Sequence, residues 1–291
     1  MLIFVVNVIL LFLFGLLLHV LEVTGSRAIN NMVSFWERIY QKVTGRNFRL
    51  NLFWRNKSLP PNEKEILFEY IPFYRHLTLA ERENFDYRLI KFRKGRKFIG
   101  REGLDVSEKM KLLISATAVK LTFGMRSYML REFETIIIYP QQYLNKKTNN
   151  LHKGEVNTNG VVVLSWEDFY AGIKITDDSL NLGLHEFAHT LALQRLKNPA
   201  FSDSFFKDNF DKLMHHVNNP ALRLALQKRA QLRHYALKNS MEFFAVATEA
   251  FFENPQDLYV NHRVIYKLFT EMYNLNLIKV YSQPIAINET K

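Results

Sequence analysis

The chain has no cysteine among its 291 residues. That excludes disulfides, cysteine-ligated zinc and thiol catalysis together, and it fits a reducing compartment. It also lacks a nucleic-acid-binding motif, although its formal net charge is +11. The basic residues are scattered, and the one dense patch, Lys91 to Lys97 (KFRKGRK), reads as a solvated strand or turn. No nucleic-acid partner is therefore expected. Compositional disorder is excluded as well, because 48% of the residues are hydrophobic and 24 are Phe, which points to an aromatic-rich core.

Strongly polar residues are nearly missing from residues 2–21 (LIFVVNVILLFLFGLLLHVL), where only Asn7 and His19 interrupt the run. About 20 apolar residues make about 30 Å of helix, the thickness of a bilayer core. No Lys or Arg precedes the run, and only Gly25-Ser26 supplies small residues after it, which disfavours a cleaved signal peptide. The reading is one N-terminal transmembrane helix, residues 1–22. Positive charge begins at Arg27 and none precedes the span, so a single-pass protein with its bulk on the cytoplasmic side is expected. Residues 23–60 form a basic, aromatic juxtamembrane segment that includes Trp36, Phe53 and Trp54. Pro60-Pro61 then opens a domain over residues 61–280, followed by a flexible tail, 281–291.

Within 61–280 the pattern is mixed. Helices are expected over 62–74, from a Thr78/Glu81 capping box to about Ile90, and from Ser107 to Gly124. Strands are expected at 92–99, 133–139 and 161–166, with a polar loop from Gln141 to Thr158. The 161–166 strand could be a sheet edge on which an extended peptide adds. Asp177, Asp178 or Ser179 would start a helix reaching about Leu196. After a mixed, Phe-rich connection and a helix opened by Pro220, Asn239 or Ser240 starts another, which ends at Pro255. A last helix covers 257–273. The fold class is α+β, mainly helical with a small sheet.

The chemistry concentrates on Leu184-His185-Glu186-Phe187-Ala188-His189. On a helix, residues i and i+4 share a face, so His185 and His189 can reach one metal ion, with Glu186 beside them as a base. Imidazoles suit Zn²⁺, and a catalytic zinc takes three protein ligands while keeping one position open. Without cysteine the third ligand must be His, Asp or Glu. His215 and His216 are adjacent on a helix, point apart, and make poor partners for one ion. Glu242 and Glu249 stand among Phe, Ala and Val, where a bare carboxylate costs several kcal/mol. They are seven residues apart and share a helix face. Either could be the ligand, leaving the other to orient a histidine.

Three blocks in order, Val162 to Asp168 (VVLSWED), His185 to His189 (HEFAH) and Glu242 to Phe252 (EFFAVATEAFF), resemble the Mlc titration factor A (MtfA) family of zinc metallopeptidases. The resemblance runs from about Pro61 to Tyr273 and includes the Tyr139-Pro140 strand end. It implies a zincin-type metalloprotease fold of the gluzincin kind, related to the catalytic domain of anthrax lethal factor. It implies one Zn²⁺ held by His185, His189 and Glu242. It also implies Glu186 as general base and Tyr235, seven residues before Glu242, as a hydrogen-bond donor to the oxyanion. Glu249 matches a family glutamate and reads as a support for a ligand. Two departures stand out. Ala192 occupies a position where members often have Asp, and the N-terminal apolar run is an addition. The implied function is a zinc-dependent peptidase acting on peptide or protein substrates. The alternative is a zinc-binding regulatory module that captures a protein partner, such as a transcription repressor, with little catalysis.

Overall fold

The computed structural model describes residues 58–145, 148–175, 179–197, 204–219 and 239–285, together with Gly15. Pro61 sits in the first turn of α1 (Pro61–Tyr70), where its missing N–H is not needed. Pro72 splits the expected 62–74 helix into α1 and a single turn, α2 (Pro72–Arg75). Thr78 and Glu81 form a reciprocal capping box at the start of α3 (Leu79–Lys94). This helix runs past the expected end at Ile90. Lys91, Arg93 and Lys94 fill its last turn, where positive charge complements the helix dipole. The expected strand at 92–99 therefore shrinks to β1 (Lys97–Gly100). Ser107 caps α4 (Glu108–Thr122) by accepting the Met110 N–H.

The sheet has four strands in the order β1-β2-β6-β5, with β2 at Thr135–Tyr139, β5 at Gly154–Asn157 and β6 at Val161–Ser165. The first three are parallel and β5 is antiparallel to β6. The loop expected at 141–158 instead folds into β5 and a separate hairpin, β3 (Tyr143–Asn145) with β4 (Asn150–His152). These ladders use backbone groups and stay partly solvated, so their residues show little of the apolar alternation that marks a strand. β6 lies inside the sheet, with four of its five residues buried. The expectation that 161–166 is an edge is thus corrected: among the described residues β5 is the edge beside it. Gly160, at φ +81, makes the turn between the two, and a Cβ there would stand 2.3 Å from the Glu132 carbonyl. Trp166 belongs not to the strand but to α5 (Trp166–Lys174), capped by Ser165.

The remaining helices are α6 (Leu182–Lys197), α7 (Ser204–Asn218), α8 (Ser240–Glu253), α9 (Pro255–Asn261), α10 (Arg263–Met272) and α11 (Leu277–Tyr281). The expected 257–273 helix is broken at His262, between α9 and α10. α6 packs on α4, α8, β5 and β6, so the helix with the histidines sits at the centre of the layer that covers the sheet. α8 buries Phe243, Phe244, Ala245, Val246 and Ala247 in succession, as a helix enclosed on most sides must. The Phe244 ring meets Phe206, Phe210 and Phe269 at centroid distances of 5.0–5.9 Å. The protein is therefore α+β, mainly helical with a small sheet.

The expected single-pass membrane localisation, with contact to a membrane through the N-terminal helix, requires correction. Among the described residues no helix is long and apolar enough to cross a membrane. The 2–21 run on which that expectation rested lies, apart from Gly15, outside the described residues.

Candidate metal centre

Asn181 starts the helix that carries the histidines. Its Oδ1 accepts the Leu184 N–H at 3.0 Å, a capping bond that satisfies one of the first-turn donors. The aspartates and serine expected to do this stand earlier in the chain, and Asp177 and Asp178 lie outside the described residues. α6 buries Leu184, Phe187, Ala188, Leu191 and Ala192 and turns His185 and His189 toward α8. Asn239 caps α8, accepting the N–H groups of Met241 and Glu242 at 2.9 Å. Glu242 therefore sits in the first turn, near the surface, and Glu249 two turns deeper.

That difference in depth separates the two carboxylates. Glu249 is 2% exposed and Glu242 16%. Glu249 Oε1 lies 2.8 Å from His185 Nδ1, and its Oε2 accepts the Asn181 N–H at 2.7 Å. Holding Nδ1 from behind leaves Nε2 as the outward nitrogen of His185. That Nε2 is 3.1 Å from His189 Nε2 and 3.2 Å from Glu242 Oε2, and Glu242 Oε2 is 3.5 Å from His189 Nε2. Among the described residues, His185, His189 and Glu242 are the group able to share one metal ion. Ligand atoms about 2.0–2.1 Å from a tetrahedral Zn²⁺ stand roughly 3.3 Å apart, so these three separations fit one face of such a tetrahedron. Glu242 Oε2 is buried and faces both imidazole nitrogens at ion-pair distance, a set of two nitrogens and one oxygen that suits a zinc ion. His215 is exposed and His216 half-buried on α7, and neither joins the cluster. Ala192 is fully buried and supplies no polar group.

Glu186 occupies a different environment. It is 5% exposed, and its Oε2 is buried without a partner. Burial raises its pKa, the charges of His185 and His189 partly offset that, and the result is about 7. The first residue of β5 makes room for it: a Cβ on Gly154 would stand 2.7 Å from Glu186 Oε1. Burial opposes a charge on His185, but Glu242 and Glu249 outweigh it and push its pKa up to about 10. Burial also raises Glu242, yet the two imidazoles beside it hold its carboxyl well below the usual carboxylate range. Tyr235 lies outside the described residues.

Sequence reasoning missed Asn181 and Gly154. Asn181 left a readable signal, a cap residue three positions before Leu184. Gly154 left none, because its meaning depends on a helix that follows almost thirty residues later.

Over residues 45–274 the sequence matches the family model of the glucose-regulated metallo-peptidases, M90. An uncharacterized protein of Synechocystis sp. is 27% identical over 252 residues, covering 77% of this chain and 89% of its own. Proteins called Mlc titration factor A from Yersinia pestis and Yersinia pseudotuberculosis are each 22% identical over 214 residues, covering 66% of this chain and 78% of theirs.

The charge state of His185 yields a prediction. Its raised pKa means that the metal-free cluster holds a proton at neutral pH, which an incoming metal ion must displace. Zinc affinity should therefore rise with pH through the neutral range, with net release of protons on binding. Calorimetric zinc titrations in buffers of different ionisation heat measure both. A pH-independent affinity without proton release would contradict the assigned protonation.

Proposed function

The chain belongs to the glucose-regulated metallo-peptidase family M90, and from that premise we propose that it is a zinc-dependent peptidase of zincin type. In this reading residues 61–280 form the catalytic domain, and His185, His189 and Glu242 hold one Zn²⁺. The observation that carries the reading is the convergence of two imidazole nitrogens and one carboxylate oxygen at 3.1–3.5 Å from each other. Zinc, when bound, supplies a Lewis acid that polarises a carbonyl and acidifies water. Glu186 takes a proton from the attacking water and passes it to the leaving amine. Its buried, unpartnered Oε2 supports that role. Tyr235 donates a hydrogen bond to the oxyanion, a contribution of about 2.7–4 kcal/mol for donors of this kind. That assignment rests on the family resemblance alone. The substrate backbone pairs with the outer side of β5, whose first residue touches Glu186, so main-chain hydrogen bonds would set the scissile bond beside the base.

A second reading, a zinc-holding module that captures a protein partner, is favoured by the name of the Yersinia relatives, which speaks of titrating Mlc. It gives no task to a buried carboxylate oxygen without a partner.

Glu186→Gln separates the two. It should lower peptide cleavage by about 10²–10⁴-fold with zinc content unchanged. Cleavage at the parent rate by the zinc-loaded variant would remove Glu186 from the mechanism. Gly154→Ala should act through the same carboxylate. The added methyl would stand within 3.0 Å of Glu186 Cγ, Cδ and Oε1 and must displace that buried side chain, so turnover falls at least about tenfold. Unchanged turnover in Gly154→Ala would show that the position of Glu186 is not critical.

A further inference from the structure

Lys120 is a buried cation that the proposed chemistry leaves unused. It lies in the last turn of α4 and is 9% exposed. A lysine that served only the helix dipole would keep its ammonium in water. Burying an ammonium is costly unless a charge of opposite sign faces it. The Lys120 Nζ reaches the end of α8, 5.8 Å from the centre of the Phe252 ring, near the outer limit of a cation–π contact. The counter-charge is on the next residue, Glu253. Burial pulls the pKa of Lys120 down, and the Glu253 carboxylate pulls it back up.

Glu253 needs such a cation. Its Oε1 accepts the Asn181 side-chain amide at 2.8 Å, and Glu249 Oε2 accepts the Asn181 backbone N–H at 2.7 Å. One buried asparagine thus bridges two carboxylates that stand four residues apart on α8, a spacing at which like charges repel. His185 Nδ1, at 2.8 Å, balances Glu249. Glu253 is half-buried, so its side chain could relieve the repulsion by turning to water. The charge of Lys120 opposes that turn. The remaining bonds of the Asn181 side chain are committed: Oδ1 accepts the Leu184 N–H at 3.0 Å, and Nδ2 also donates to the Gly172 carbonyl at 2.9 Å. A line of contacts therefore runs from Lys120 through Glu253, Asn181 and Glu249 to His185 Nδ1.

We propose that Lys120 and Glu253 are a positioning pair for the metal centre, in which the Lys120 ammonium holds Glu253 against Asn181, and Asn181 in turn holds Glu249 against His185. Neither residue touches the metal or a substrate. The proposal rests on the zinc-site reading above.

The test uses the purified full chain and three variants: Lys120→Met, Glu253→Ala and the two combined. Lys120→Met keeps a long apolar stem and removes the charge. Zinc affinity, read by competition with a chelator, should fall about tenfold in each single variant, the low end of the loss expected when a group supporting a ligand is removed. The double variant should bind no more weakly than the weaker single variant, because the pair acts as one unit. In the metal-free proteins the His185 Nδ1 proton, followed by NMR of chains labelled with ¹⁵N-histidine, should exchange with water at least about tenfold faster in each variant than in the parent. A purely structural role would change thermal stability and leave zinc affinity and this exchange at the parent values, which would overturn the proposal. Losses of affinity that multiply to about 100-fold in the double variant would also overturn it, since the two residues would then act independently. If Lys120→Met does not fold, Glu253→Ala decides by the same two readouts. If the parent chain binds no zinc, the zinc reading falls and the proton exchange alone decides the pair: faster exchange in the variants supports it, and equal exchange overturns it.

Discussion

A buried contact of 2.8 Å between Glu249 Oε1 and His185 Nδ1 ties α8 to α6, and the candidate metal centre is arranged around it. A carboxylate at 2% exposure is expensive to bury unless its oxygens are satisfied. Here one oxygen meets the imidazole and the other takes the N–H of Asn181. Asn181 in turn caps α6 and donates its side-chain amide to the Gly172 carbonyl and to Glu253 Oε1. Packing of α6 against α8, the start of the histidine-bearing helix, the position of α5 and the orientation of His185 are thus one hydrogen-bonded unit. Loosening any member leaves a buried polar group unpaired, which costs more than the bond itself contributes.

The sheet contributes through contact rather than through charge. β5 lies against α6, and the absence of a side chain at Gly154 is what lets the edge strand reach the Glu186 carboxylate. Glu186 therefore sits in a space bounded by backbone on one side and near the imidazoles of His185 and His189 on another. Burial raises its pKa and those imidazoles lower it, so the carboxyl is set by opposing influences of the same architecture that presents the two histidines.

Much of this was legible in the sequence wherever the signal is local. The i, i+4 spacing of His185 and His189, the Thr78 and Ser107 caps and the β-branched run ending at Tyr139 all use periodicities of a few residues, and the structure follows them. The choice between Glu242 and Glu249 was not legible from spacing, since seven residues put both on one face. Depth in the fold separates them, and depth depends on how α8 packs on α6. The family resemblance pointed to Glu242. The β3–β4 hairpin and β5 escaped notice because their residues (Asn150, His152, Gly154) carry no strand-like alternation, and α5 because Trp166 extended an apolar strand pattern by one residue. The apolar run at 2–21 read strongly as a membrane span on composition alone. No membrane-crossing helix stands among the described residues to support it.

The central claim is that Glu242 completes a zinc site with His185 and His189. Metal analysis of the purified full chain beside its Glu242→Ala variant tests it most directly. The account predicts about one zinc per parent chain. It predicts affinity weakened by at least about 100-fold in the variant, the loss expected when a ligand rather than a supporting group is removed. Equal zinc content and affinity in the two proteins would contradict it.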